Sequence, residues 1–255
     1  MIFRQLTLRP LLILLVSGSF FVFFIALRTD DSSVSASRQS VAASVKSLVP
    51  KLTVVDAHVD ARVEYNAVSL SIRNDYDKII TAFAVSSSGV ITRSELIDSD
   101  ELFRPGVTKT KLYELPSSTL PQDGTIIQAA LFEDGTSAGN PKIIKQIRDA
   151  RAGNKVQTDR IVPILILDER NGDLRQELEK RKSRISELPD QEDGRSFEFN
   201  AALQDAKHLA MMKVDELVQV EQRHGETAAR RGLAHIKELY VVRSTKLKAS
   251  LRSTQ

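Results

Sequence analysis

The chain contains no cysteine and no tryptophan. The first absence removes disulfides, thiol nucleophiles and Cys-ligated zinc together. Aromatic residues amount to only 5%, and five of the ten Phe (Phe3, Phe20, Phe21, Phe23 and Phe24) fall near the amino terminus. A core formed by the later residues must therefore come mainly from Val, Ile, Leu and Ala. No Asn-x-Ser/Thr sequon occurs, and neither a Gly-x-Ser-x-Gly elbow, a P-loop, a His-Glu-x-x-His helix nor a dinucleotide fingerprint is present. An excess of one charge sign is missing too. The net charge is +3, divided as +4 over residues 1–51, −6 over 52–140 and +5 over 141–255. An acidic middle would repel phosphate and the basic last third is heavily mixed, so no nucleic-acid face is expected.

A length of 255 residues suits one domain, or two small ones with a tail. Leu11 to Leu27 reads LLILLVSGSFFVFFIAL, seventeen positions without a charge. As a helix it would extend about 26 Å, and an apolar helix satisfies its own backbone groups in lipid. Arg4 and Arg9 precede it and Asp30 and Asp31 follow, which by flanking charge keeps the amino terminus cytoplasmic. The expected organisation is a cytoplasmic tail (1–10), a transmembrane signal anchor (11–27) and a Ser/Ala-rich linker (28–50). This places the protein in the inner (cytoplasmic) membrane as a single-pass chain, with its carboxy-terminal part extracytoplasmic. Val34-Ser35-Ala36 has the small-residue spacing of a signal-peptidase site. Cleavage after residue 36 would release a secreted form, but the site lies nine residues beyond the apolar run, and this favours an uncleaved anchor.

From Leu52 the apolar period changes to two. Val68, Leu70 and Ile72 alternate with Ser69, Ser71 and Arg73, placing the apolar set on one face. Further strands are expected over 78–86, 90–96, 107–115 and 125–132, with Leu52 to Val63 in front. Asn74-Asp75-Tyr76-Asp77, Ser87-Ser88-Gly89 and Arg104-Pro105-Gly106 supply turns. Short strands at this spacing predict an all-β antiparallel sandwich over 51–136, with a small open barrel as the alternative. Val68-Ser-Leu-Ser-Ile-Arg-Asn74, Lys78-Ile-Ile-Thr-Ala-Phe83 and Arg104-Pro-Gly-Val-Thr108 resemble the immunoglobulin-like extracytoplasmic domains of bacteria, the FxLYD type among them. In those domains a strand ending in Asn precedes a Lys-x-Ile strand and a later Pro-Gly turn; the FLYD-like tetrapeptide itself is missing here. The resemblance covers roughly residues 52–133 and implies a non-catalytic module.

Residues 140–255 are expected to be helical. Asn140-Pro141 supplies a capping side chain and a proline at the first helical position. Ile143, Ile144, Ile147 and Ala150 step at helical spacing up to Gly153, and Pro163 is expected to interrupt any later helix. Leu174 to Leu188 reads as a charged helix. Leu203, Ala206, Ala210, Val214 and Leu217, and then Ala229, Leu233, Ile236, Tyr240 and Leu247, repeat by threes and fours on either side of Gly225. This predicts a helical hairpin about Gly225 that packs on itself or covers the sandwich, with a surface for self-association or a partner helix as the other reading. Arg230, Arg231, Lys246, Lys248 and Arg252 read as a solvated helix face.

Three residues carry the chemistry that the sequence offers. In Val55-Asp56-Ala57-His58-Val59-Asp60, residues two apart point the same way on a strand, so Asp56, His58 and Asp60 share a face. An imidazole and two carboxylates so placed suit a divalent metal. The run resembles the first strand of amidohydrolase barrels and the His-x-Asp of the renal-dipeptidase type, which implies a metal-dependent hydrolase. Amidohydrolases want a second His where Asp60 stands, and both barrels require βα repeats and further His ligands. His208, His224 and His235 instead fall in expected helices. The alternative is the solvated face of an edge strand with Val55, Ala57 and Val59 inward. Asp168 to Asp173 is out of register for a calcium loop, since Leu167 falls at the first ligand position. The sequence therefore reads as a non-enzymatic, membrane-tethered binding or scaffolding protein of the cell envelope, with no assigned catalytic, cofactor or metal residues. The metal-dependent hydrolase and a helical self-assembly element are the alternatives.

Overall fold

The computed structural model describes residues 41–42, 44–61, 66–87, 89–97, 102–114, 124–166 and 173–252. Nine strands precede four helices in these segments. The strands are β1 (Val41–Ala42), β2 (Val45–Ser47), β3 (Leu52–Ala61), β4 (Asn66–Asn74), β5 (Ile80–Ser87), β6 (Val90–Glu95), β7 (Thr108–Glu114), β8 (Thr125–Phe132) and β9 (Ser137–Gly139). The helices are α1 (Pro141–Ile166), α2 (Leu174–Ser186), α3 (Phe197–His224) and α4 (Glu226–Arg252). β1 and β2 fall inside the stretch expected as linker.

The strands form two sheets. The first is antiparallel, in the order β1-β3-β4-β7. The second runs β2-β8-β5-β6, with β2 parallel to β8 and β9 also paired to β8. The alternation read from the sequence produces their shared interior. Val68, Leu70 and Ile72 of β4 meet Phe83 and Val85 of β5 and Ile127, Ala130 and Phe132 of β8 in one cluster. Phe103 is fully buried there, tilted against Phe83 at 6.0 Å between ring centroids. Asn74 closes the end of β4. Its buried amide donates to the carbonyls of Lys78 and Phe103, each at 2.9 Å, and its side-chain oxygen accepts from the Tyr76 N–H. A buried polar group is tolerated when its hydrogen-bonding capacity is used in this way.

The expected all-β sandwich plus helical carboxy-terminal region is corrected by this architecture. The fold is mixed α/β, and helix and sheet share a core. β5 is buried on both faces because Ala82 and Ala84, with Ala129 and Leu131 of β8, pack against Ile143, Ile144 and Ile147 of α1. Alanine gives little hydrophobic contrast in a sequence, so this second face was not legible as an interface. Arg151 locks it. The side chain is 2% exposed and donates to both oxygens of Glu95 on β6, at 2.8 and 2.7 Å, and to Thr81 Oγ1 at 3.0 Å.

α1 does not stop at Gly153 or at Pro163 but runs to Ile166. Asn140 caps it, accepting from the Lys142 N–H at 3.0 Å. Interior proline costs about 3 kcal/mol through the lost N–H bond and a ring clash. Here Pro163 faces solvent, while Ile161 and Leu165 on either side are 0% and 1% exposed and anchor that end in a second core. That core is completed by Leu174, Leu178 and Ile185 of α2, by Val214 and Leu217 of α3, and by Leu233, Ile236 and Tyr240 of α4. α3 and α4 meet at Gly225, whose φ of +83° would strain any residue with a Cβ. One helix thus lies on the second sheet with its first half and joins the helical bundle with its second.

The transmembrane anchor and the inner-membrane placement are likewise not carried forward. Among the described residues no helix is long and apolar enough to cross a membrane. α1, α3 and α4 have the length, at 26, 28 and 27 residues, but each carries charged side chains along its solvent face. Residues 11–27, on which the anchor rested, lie outside the described residues, as do the tail 1–10 and the position of the cleavage site.

Candidate functional site: the open face of the first sheet

The second sheet has α1 on its outer side, whereas the outer face of the first sheet is uncovered by any described element. Strand register composes that face row by row. His58, Ser69 and Leu112 lie abreast on β3, β4 and β7. Asp56, Ser71 and Thr110 form the next row, and Thr53, Arg73 and Thr108 the third. Adjacent strands are about 4.8 Å apart, so the nine side chains make a shallow platform in which short hydroxyl residues predominate. On β7 the alternate residues Lys109 and Lys111 stand in register with the inward Ile72 and Leu70. Lysine in that position on an edge strand opposes pairing of the edge with another sheet.

Two of the three sequence-predicted residues meet here. His58 Nδ1 lies 3.0 Å from Asp56 Oδ2, with both side chains exposed to solvent. A proton on Nδ1 donated to the carboxylate leaves Nε2 as the outward acceptor. Asp60 sits on the same strand, in register with Ala67, but its side chain is not among those described. Among the described residues no group of three His, Cys, Asp or Glu is placed to hold a metal ion. His208, His224 and His235 lie on α3 and α4, away from this sheet.

The expected inward set on β3 needs revision. Ala57 and Val59 turn inward, but Val55 is 53% exposed. The register of β3 against β4 shifts between Val54 and Asp56, so Val55 is the extra residue of a bulge. Leu52 and Val54 point inward before it, and Ala57 and Val59 after it, so one inserted residue reverses the phase of the strand.

At the far end Arg73 Nε donates to Asp75 Oδ1 at 2.6 Å, and Thr53 donates its hydroxyl to the other carboxylate oxygen. These two donors, Arg73 first, hold the Asp75 carboxyl below the ordinary carboxylate range. Ser71 and Thr110 share a hydroxyl hydrogen bond of 2.8 Å across β4 and β7. Val55 and Leu112, the latter 42% exposed, supply apolar surface among these polar groups. The arrangement offers hydroxyl donors and acceptors, one carboxylate–imidazole pair and two apolar contacts on a flat surface. Sequence reading found Asp56 and His58 because they are two apart. It missed Thr110 and Leu112, which only the pairing of β7 with β4 brings alongside.

No protein-family model, no curated protein and no solved structure matches the chain, and so nothing in these comparisons bears on the immunoglobulin-like resemblance.

Proposed function

We propose that the chain is a non-catalytic binding and scaffolding module that meets a partner protein through the open face of its first sheet. The observation carrying this reading is the difference between the two sheets. One outer face is sealed by Ile143, Ile144 and Ile147 of α1, and the other presents Val55 and Leu112 among Ser71, Thr110, Asp56 and His58. Protein contacts combine an apolar centre with hydrogen-bonding groups around it, and this face has both. The partner surface that fits is flat, with side chains that exchange hydrogen bonds with hydroxyls and with the Asp56–His58 pair. The bundle then acts as a rigid body attached through α1, so that whatever engages the sheet is held at a fixed position relative to the helices.

The test compares quantitative affinity capture by the parent and by a Val55→Glu/Leu112→Glu double variant, with Lys213→Glu on α3 as a surface control. Partners bound through this face are retained by the parent and the control and lost by the double variant, while the melting temperatures of all three stay close. An identical bound set from all three proteins would remove the sheet from the binding role.

A further inference from the structure

We propose that the outward stripe of α4 is a two-fold contact with a second copy of the chain, helix against antiparallel helix, centred on Val242. Ala229, Leu233, Ile236, Tyr240 and Leu247 turn toward the bundle. The opposite side of the helix presents His235, Glu238, Leu239, Val242, Lys246 and Ala249, all exposed, with Leu239 at 51% and Val242 at 44%. Glu238, Val242 and Lys246 are successive members of one i,i+4 row.

The two charges in this row have no complement on their own helix. Three and four residues from Glu238 stand Ala234, His235, Val241 and Val242; the same positions around Lys246 hold Val242, Arg243, Ala249 and Ser250. Some surface charges on the helices pair one turn apart, as Lys145–Asp149, Lys155–Asp159 and Arg230–Glu226. Among the described residues neither Glu238 nor Lys246 enters an ion pair.

The complement is the row itself, reversed. Glu238 and Lys246 lie four residues on either side of Val242, about 6 Å along the axis in each direction. An antiparallel copy related by a two-fold axis at Val242 therefore brings Glu238 against Lys246 of the second copy, and the symmetry repeats the pair. Leu239 and Val242 with their symmetry mates form the apolar centre between these pairs, and Ala249 falls opposite His235. A different partner would have to reproduce this spacing and sign independently, whereas a second copy carries both.

Sedimentation velocity of the full chain over a concentration series reads the contact. The parent self-associates, and Glu238→Lys or Lys246→Glu weakens association about tenfold or more, since each turns two attractive pairs into repulsive ones. The double variant Glu238→Lys/Lys246→Glu recovers the parent behaviour with the charges exchanged. Val242→Glu, which sets two carboxylates face to face, also dissociates the pair. The substituted side chains are exposed, and a helical circular-dichroism melt close to the parent's confirms each fold. A parent that stays monomeric, single variants that associate like the parent, or a double variant that fails to recover would each overturn the proposal.

Discussion

Gly153 fixes how closely α1 approaches α3, and replacing it should be expensive in a way that its helical position alone would not suggest. In a solvent-facing helix Gly→Ala stabilises by roughly 0.5–1 kcal/mol, because glycine gives up more backbone entropy on folding. At Gly153 a Cβ would lie 2.1 Å from the backbone oxygen of Phe199 and 2.9 Å from its carbonyl carbon, well below the 3.0 Å that real Cβ contacts respect. The obstacle is the main chain of α3, so no rotamer change relieves it. The helices must separate by roughly 1 Å at this point, which disturbs the packing on both sides. Overpacking of this kind costs typically 1–3 kcal/mol, and a rigid backbone neighbour places Gly153→Ala toward the upper end. After the propensity gain the net loss should be about 2 kcal/mol, or about 4–8 °C in Tm for a protein of this size. Gly232→Ala is the control. There the nearest atom is the flexible end of Leu217, Cδ2 at 2.6 Å, and the stability should remain within about 1 kcal/mol of the parent. Urea denaturation followed at 222 nm measures both. If Gly153→Ala matched or exceeded the parent, the close approach of the helix backbones would be refuted.

Two further predictions concern the sheets. Asn74→Ala leaves the Lys78 and Phe103 carbonyls and the Tyr76 N–H without their side-chain partner, and should cost about 3 kcal/mol in the same denaturation assay; a loss below about 1 kcal/mol would show that this turn holds itself. Lys78, 2.7 Å away, and then the Thr136 hydroxyl lower the Asp134 carboxyl from 3.8 to about 2. A folded value below the unfolded one makes the stabilisation complete above about pH 4 and progressively lost as pH falls through 2. Asp134→Asn should therefore flatten the decline in Tm between these two pH values, and an unchanged decline would separate this ion pair from acid unfolding.

The features legible in the sequence share a physical basis: each rests on neighbours close along the chain. The alternation of Val68, Leu70 and Ile72 marks a half-buried strand wherever its partners lie, and Asn140-Pro141 supplies a cap and a compatible φ from adjacent residues. The three-to-four repeats around Gly225 specify two helices for the same reason. Asp56 and His58 are neighbours on one face because strand geometry makes them so, and their 3.0 Å contact needs nothing from elsewhere.

What depended on distant residues was settled only in three dimensions. Ala82 and Ala84 become an interface because Ile143, Ile144 and Ile147 lie on them, and this joint contact makes the fold mixed α/β. Pro163 remains helical because burial of Ile161 and Leu165 outweighs a local penalty. Val55 turns outward because β4 pairs past it, and Thr110 and Leu112 reach His58's face only through β7. Local periodicity marked β3 to β8 and the two helices on either side of Gly225. Long-range packing decided which of their faces are sealed and which remain open to solvent, since burial belongs to the pair of surfaces and not to either segment alone.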